Sequence, residues 1–269
     1  MNKILFIGCG HMGFAMLKSW SEDKKNKFTI IDPLTYKKIN SFYKRKVKAV
    51  KSINEIKNLE IFNIVIIAIK PQITTKVLKD YTQYRFNRKT IFISIVAGKK
   101  ISYLNSFFSK THKFIRAMPN MPAMISQGMT GLYGNNVITK NDKIIITKLF
   151  SKLGETLWLQ TELDLNKVTA ISGSGPGYVF YLIDAFEKGA INLGLGEKIT
   201  KKLVSQTFIG SINLFLKSKM TAEDLVKKIS IKGGTTEAGL ANFKKDKILQ
   251  KNFKKVIQSS YSRSKKLEK

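Results

Sequence analysis

Ile4-Leu5-Phe6-Ile7-Gly8-Cys9-Gly10-His11-Met12-Gly13, close to the start of the chain, decides the fold. Four consecutive apolar residues ending at a glycine read as a short buried strand. The glycines then follow the pattern GxGxxG, and residues 11–20 read as the first helix. A strand that turns through glycines into a helix start presents unpaired backbone N–H groups and the positive end of the helix dipole. The first glycine permits the tight turn, the second lets a pyrophosphate approach the backbone, and the third allows close helix–strand packing. An acidic residue is expected about twenty positions later. Asp32 supplies it, at the end of a second strand, Phe28-Thr29-Ile30-Ile31, which Pro33 stops. The stretch therefore predicts a dinucleotide-binding βαβ unit.

The rest of the first half extends that unit. Ile64-Val65-Ile66-Ile67-Ala68 and Ile91-Phe92-Ile93-Ser94-Ile95-Val96 are apolar runs rich in β-branched residues. Such runs suit parallel strands buried on both faces. Strands alternating with helices imply a doubly wound α/β sheet. Ligands bind such sheets at the carboxyl ends of the strands. Ala68-Ile69-Lys70-Pro71 ends the fourth strand and Val96-Ala97-Gly98 the fifth, so these turns are candidates for the nicotinamide ribose. Lys70 is either a ribose or pyrophosphate ligand or a solvated loop lysine. Arg116-Ala117-Met118-Pro119-Asn120-Met121-Pro122 closes another strand, with Asn120 either facing the nicotinamide or capping the turn.

After about residue 165 the texture becomes helical, over residues 166–193, 198–217, 222–230 and 238–266. Val168, Ile171, Val179, Leu182, Phe186, Ala190 and Leu193 line one side of the first of these, while Phe180, Tyr181, Ile183 and Ala185 cover others. A helix apolar nearly all round is buried on all sides. Burial against a second subunit and burial inside a monomeric bundle both satisfy that pattern. The expected division is a dinucleotide-binding domain over 1–164 and a helical domain over 165–269, with a frayed lysine-rich end from Lys265 to Lys269.

The 269 residues include 48 Lys and Arg against 18 Asp and Glu, a net charge of +30. The basic residues are nearly all lysine and scattered, whereas nucleic-acid recognition leans on arginine forks clustered on one element. No nucleic-acid partner is expected. The longest apolar run, residues 61–69, is interrupted by Asn63 and is less than half the ~20 residues of a membrane span. A strand begins almost at once, leaving no room for a signal peptide. Cys9 is the one cysteine, which fits a reducing cytoplasm. His11 lies in the glycine-rich loop and His112 precedes a strand, read as a surface residue. No His, Cys, Asp and Glu cluster falls at ligand spacing, so no metal is expected.

Two further stretches are rich in small and hydroxyl residues and open onto helices. They are Ser172-Gly173-Ser174-Gly175-Pro176 and Gly233-Gly234-Thr235-Thr236. Each can offer backbone donors to the anion of a small acid. The simpler reading of Thr235-Thr236 is a helix N-cap with Glu237 in the first turn.

Together with Thr169-Ala170-Ile171, these motifs occur in an order that closely resembles pyrroline-5-carboxylate reductase along essentially the whole chain. The resemblance implies an N-terminal Rossmann domain and a C-terminal helical domain that forms a homodimer by interlocking helices, often within larger rings. It implies hydride transfer from NADPH or NADH to 1-pyrroline-5-carboxylate, giving L-proline. A carboxylate at Asp32 tilts the expectation weakly to NADH, with Lys37 and Lys38 able to offset its repulsion of a 2′-phosphate. Carried onto this sequence, the cofactor positions are Gly8, Cys9, Gly10, His11, Met12, Gly13, Asp32, Pro33, Asn54, Ala68, Ile69, Lys70, Pro71, Ala97, Gly98 and Asn120. Glu162, Ser174, Gly175, Gly233, Gly234, Thr235 and Thr236 fall at substrate positions, with Thr236 the hydroxyl nearest the ring nitrogen. The chain departs from the pattern with Ile231-Lys232 for Ser-Pro, Asn166 for aspartate, Gly177 for alanine and His11 for asparagine or glutamine. The alternative is another two-domain imine or β-hydroxyacid reductase. Gly175-Pro176-Gly177-Tyr178-Val179-Phe180-Tyr181 lacks the lysine that the β-hydroxyacid enzymes place after a glycine-rich loop.

Overall fold

Runs of Ile, Val and Phe pair side by side into one eight-stranded sheet of order β3-β2-β1-β4-β5-β6-β7-β8. The computed structural model describes residues 2–43 and 47–268. Strands β1 (Asn2–Ile7), β2 (Asn26–Ile31), β3 (Val47–Val50), β4 (Ile64–Ile67), β5 (Ile91–Ser94) and β6 (Lys113–Met118) are mutually parallel. β7 (Gly128–Gly134) runs antiparallel to β6, and β8 (Gly154–Trp158) parallels β7. Helices α1 (His11–Trp20), α2 (Tyr36–Tyr43), α3 (Thr74–Lys79), α4 (Ile101–Leu104) and α5 (Lys140–Phe150) connect the strands.

Alternate strand residues feed two cores. Ile4 and Phe6 join Met16, Leu17, Trp20 and Phe150 in one cluster, whereas Leu5 and Ile7 join Val65, Phe92 and Phe114 in the other. Period-two alternation requires this of a strand covered on both faces. Trp20 packs edge-on against Phe150 at 5.2 Å, locking α1 to α5. The strand order reverses between β1 and β4, and the crevice outside their carboxyl ends is the ligand position of such sheets.

Strands β7 and β8 were not legible as strands. β7 reads Gly-Met-Thr-Gly-Leu-Tyr-Gly, and glycine is a poor strand former. Its glycines serve close approach: a Cβ on Gly131 would meet Val168 Cγ1 at 2.9 Å, and one on Gly134 would meet Ile138 Cγ1 at 2.9 Å.

Contacts divide the chain into Met1–Ser174 with Ser260–Lys269, and Gly175–Ser259. This division falls ten residues beyond the expected 164/165 boundary and returns the last ten residues to the sheet unit. The second unit holds α7 (Gly175–Asn192), α8 (Glu197–Lys217), α9 (Ala222–Ile229), α10 (Thr235–Lys244) and most of α11 (Ile248–Lys266). The first expected helix, 166–193, is in fact α6 (Asp164–Val168), a π-type turn at Thr169–Gly173, and α7. The helix expected over 238–266 starts earlier, at Thr235, and breaks at Lys245–Lys247, where Lys247 adopts a φ of +53° that no helix continues.

Within the second unit, Phe186 packs on Phe208 between α7 and α8, but little else apolar is covered. Tyr181, Phe186, Ile212 and Leu216 are all exposed, Leu216 by 71%. One protomer does not bury these faces. Of the two readings left open by the sequence, burial inside a monomeric bundle is the one these exposures disfavour.

The end expected to fray is held instead. Ser264 is buried and its hydroxyl donates to Asn166 Oδ1 at 2.6 Å, while the Glu268 side chain is 5% exposed. Lysines 265 and 266 point outward, but the chain between them and residue 268 is tied to the sheet unit; Lys269 lies outside the described residues. His112, expected at the surface, is buried with its ring on Phe92 at 5.1 Å, and burial, with Arg88 nearby, lowers its pKa.

Candidate active site

The glycine-rich loop is built as its spacing requires. Gly8 has a φ of +83°, and a Cβ there would meet Ile69 Cγ2 at 2.5 Å and Ala68 O at 2.9 Å. The turn out of β1 thus needs glycine twice over, for its dihedral and for its approach to the end of β4. A Cβ on Gly13 would touch Ala68 Cβ at 3.4 Å, so the third glycine brings α1 close to β4. Gly10 differs: a Cβ there would meet nothing within 4 Å. No described residue comes within that distance. Gly10 is also the N-cap of α1, with no side-chain cap and no acidic residue in the first turn. An uncapped helix start beside open space fits a pyrophosphate. His11 and Met12 are the first residues of that helix, so their backbone N–H groups lie at its uncapped start.

Cys9 is buried beneath the loop. Burial, reinforced by the Asp32 charge, pushes its thiol up to about 12, so it packs as a small apolar side chain.

Asp32 is the main surprise of this region. Its Oδ2 accepts the Cys9 N–H at 2.8 Å, and its Oδ1 accepts the Leu34 and Thr35 N–H groups at 2.9 Å each. Of roughly four lone-pair sites on a carboxylate, three are committed to backbone, in a residue that is 8% exposed. Asp32 staples the glycine-rich loop to the turn after β2. A carboxylate that favours NADH must be free to receive both ribose hydroxyls, and this geometry does not supply one. Pro33 is exposed beside it, followed by Lys37 and Lys38 on the solvent face of α2.

Asn54 sits in the 3-10 turn after β3, where a capping box formed by Ser52 and Glu55 fixes the backbone. The Tyr84 hydroxyl donates to its Oδ1 at 2.5 Å. Ala68 and Ile69 are half-buried at the end of β4, and Lys70 is exposed as the N-cap of the 3-10 turn that Pro71 begins. Ala97 and Gly98 follow β5, with Gly98 at a φ of +71°. Asn120 acts as a cross-link. Its amide donates to Ser172 O at 3.1 Å and Ser172 Oγ at 3.2 Å, and its Oδ1 accepts the Met129 N–H at 2.8 Å. Asn120 is the N-cap residue of the 3-10 turn over Met121–Ile125, but its side chain makes no cap bond there; it ties that turn to Ser172 and to β7 instead.

Glu162 and Arg116 form a polar centre beside the carboxyl end of β5, where Arg116 of β6 pairs with Ser94. Glu162 Oε1 accepts the Ile101 N–H at 2.8 Å and Arg116 Nη1 at 3.1 Å. Glu268 reaches the same Arg116 Nη1, at 3.5 Å, and pairs with Lys100 at 3.1 Å. No local signal pointed to Glu268, which is 152 positions from Arg116. Ser174 follows the π-type turn, a widening found often at functional positions, and its hydroxyl bonds Ser260 Oγ at 2.9 Å. Gly175 opens α7 with nothing near a would-be Cβ.

In the second unit, residues 231–234 form a turn closed by the Gly234 N–H donating to Ile231 O at 2.9 Å. Gly233 takes its third position with a φ of +77°, which is the glycine position of a type II turn. Gly234, not a threonine, is the N-cap of α10, and no side chain caps it. Glu237 reaches back to the Gly233 N–H at 2.7 Å. Thr235 is exposed and Thr236 half-buried, so neither hydroxyl performs the capping that was the simpler reading. The Gly233 donor is already engaged.

Residues 162–267 match the family model described as pyrroline-5-carboxylate reductase dimerisation, and residues 3–98 one described as NADP oxidoreductase, coenzyme F420-dependent. A pyrroline-5-carboxylate reductase of Haemophilus influenzae is 30% identical over 268 residues, covering 98% of this chain and 97% of the relative. The chain belongs to the pyrroline-5-carboxylate reductase family. A second such enzyme, from Bacillus subtilis, is 33% identical over 89% of this chain and 86% of its own. Among solved structures, a Plasmodium falciparum pyrroline carboxylate reductase with NADP bound superposes with a TM-score of 0.87 at 25% identity, covering 100% of this chain and 98% of its own. The reductase of Coxiella burnetii gives 0.86 at 26%, covering 100% and 99%.

Within this reductase family the chain's departures acquire reasons. Asn166 is buried, accepts from Ser264 and donates to Glu268 Oε1 at 3.0 Å. An aspartate could not make the second bond. Lys232 stands at the second position of the type II turn, where proline is favoured but not required. Nothing in the structure explains Gly177.

Proposed function

We propose that this protein reduces 1-pyrroline-5-carboxylate to L-proline with NADPH or NADH. The observation that carries the reading is the open space at Gly10 beside the uncapped start of α1, in a chain that aligns end to end with reductases of this name. When bound, the reduced nicotinamide supplies the hydride that adds to the imine carbon. Such an imine can be protonated near neutral pH, so the chain has more need to position and hold an anion than to deliver a proton. The first unit is assigned the dinucleotide, through Gly8, Gly10, Gly13 and the turns after β4 and β5. The Gly233-Gly234-Thr235-Thr236 turn of the second is assigned the substrate carboxylate and ring nitrogen. Thr236 is the hydroxyl proposed nearest that nitrogen, because it is half-buried and does not cap α10.

The protein is a homo-oligomer, consistent with its match to a dimerisation family and the uncovered apolar faces of α7 and α8. The proposed assembly is a dimer through those helices, joined into larger rings. No helix among the described residues is long and apolar enough to cross a membrane, and the proposed location is the cytoplasm. The direct test follows oxidation of NADH and NADPH separately with pyrroline-5-carboxylate as acceptor. Turnover is expected; its absence with both dinucleotides would overturn the proposal.

A further inference from the structure

The turn after β5 is held from three directions, and two of the holds come from the far end of the chain. Glu162 grips the Ile101 N–H at 2.8 Å. Leu267 lies directly on Gly98: a Cβ there would come within 2.6 Å of Leu267 Cβ and against its carbonyl oxygen. Glu268, with its side chain 5% exposed, draws in Lys100 at 3.1 Å and reaches Arg116. A carboxylate this deeply buried is stable only when its lone pairs are answered. Asn166 answers Oε1 at 3.0 Å and fixes the approach by accepting the Ser264 hydroxyl at 2.6 Å. The Asn166 amide does both at once, donating to Glu268 through Nδ2 and accepting from Ser264 through Oδ1, which an ionised aspartate could not.

We propose that residues 264–268 form a clasp that positions the β5–α4 turn for the nicotinamide end of the dinucleotide, with Glu268 as the positioning residue and Asn166 as its anchor. The inference rests on the dinucleotide reading above. The clasped segment, residues 96–101, contains the Ala97-Gly98 turn at the carboxyl end of β5, where a sheet of this order meets its ligand. Gly98 holds a φ of +71°, and the Leu267 backbone packed on it limits what other conformations that turn can visit. Glu268 also balances charge. Without it, Lys100 loses the carboxylate it pairs with and Arg116 keeps Glu162 alone, and the turn opens.

The test uses the full chain and three variants: Glu268→Gln, Asn166→Asp, and the two combined. Glu268→Gln removes the charge while keeping the shape. Asn166→Asp sets a second carboxylate against the first. The combined variant moves the negative charge across the same hydrogen bond, so a glutamine amide donates to an aspartate that still accepts from Ser264. Binding of NADPH and of NADH is measured by fluorescence titration, and amide hydrogen exchange is followed at residues 97–101. Each single variant is expected to weaken both dinucleotides roughly tenfold and to speed exchange at the turn, with most of the loss recovered in the combined variant. Unchanged affinity in both single variants, whatever happens to Tm, overturns the clasp and leaves these contacts as support for the fold alone. Weakened single variants that the combination does not recover also overturn it, because the effect then does not pass through the Asn166–Glu268 pair. A wild-type chain that binds neither dinucleotide overturns the functional reading itself, and this inference with it.

Discussion

Replacing Asp32 by asparagine separates a loop staple from a ribose acceptor. Both carboxylate oxygens accept backbone N–H groups, Oδ2 from Cys9 and Oδ1 from Leu34 and Thr35. Asparagine offers one oxygen, so either orientation leaves one side facing an NH2 group. With the oxygen kept on Leu34 and Thr35, the Cys9 donor is stranded in a buried residue, at about 1–3 kcal/mol. With the amide turned over, two donors at an exposed turn lose their acceptor and are partly rehydrated, at about 0.5–1.5 kcal/mol each. The side chain takes the cheaper orientation, and either way the expected loss is about 1–3 kcal/mol. For a protein of this size that lowers Tm by roughly 2–10 °C. Because the staple holds the glycine-rich loop, KM for NADH and for NADPH should rise by a similar factor. Thermal melts and paired kinetics with the two dinucleotides read both effects. An unchanged Tm with a selective loss of NADH would refute the staple and restore Asp32 as the ribose acceptor.

Thr236→Ala should leave circular dichroism unchanged and lower kcat/KM by roughly 10- to 150-fold, the equivalent of a lost hydrogen bond to a charged group at about 1.5–3 kcal/mol; near-wild-type kinetics would remove Thr236 from the site. Burial pushes the Glu268 carboxyl up, but bonds from Asn166 and Lys100 and the charges of Lys100 and Arg116 outweigh it and hold the pKa below the ordinary 4.5. Its stabilisation is therefore complete above that value and lost as pH falls through the lowered folded pKa. The Tm difference between wild type and Glu268→Gln should shrink accordingly across melts from about pH 6 to about pH 3. Lys232→Pro should raise stability by about 0.4–1 kcal/mol, because the second position of a type II turn already has the backbone angle that proline imposes. A lower Tm in that variant would show that the turn around Gly233 is of another kind.

Residues whose role is set by neighbours in sequence were legible. Gly8 needs a positive φ at a strand end, and Gly13 needs a short distance to β4 one turn into a helix. Both requirements are written into the spacing GxGxxG. The parallel strands were legible because burial on both faces leaves unbroken runs such as Ile64-Val65-Ile66-Ile67. β7 was not, because its glycines serve the approach of Val168 and Ile138 rather than strand propensity. Asp32 was found at the right place, but the partners of its oxygens depend on how the Cys9 backbone and the turn at Leu34 close around it. The composition of the last five residues suggested a solvated end; what ties it down is a carboxylate whose partners lie more than a hundred positions away.

By itself, then, the sequence determined the sheet-forming first half, the helical second half, the glycine cradle and the order of motifs that marks the family. All of these follow from periodicity and from dihedral limits acting over a few residues. Only the tertiary structure decided which polar groups are free and which are already spent. A side chain's capacity for hydrogen bonds is fixed by its type, but its remaining capacity depends on everything folded against it. That is why Asp32, Asn120 and Glu162 turn out to brace the framework, while among the described residues no hydroxyl caps the start of α10, where Thr235 and Thr236 stand.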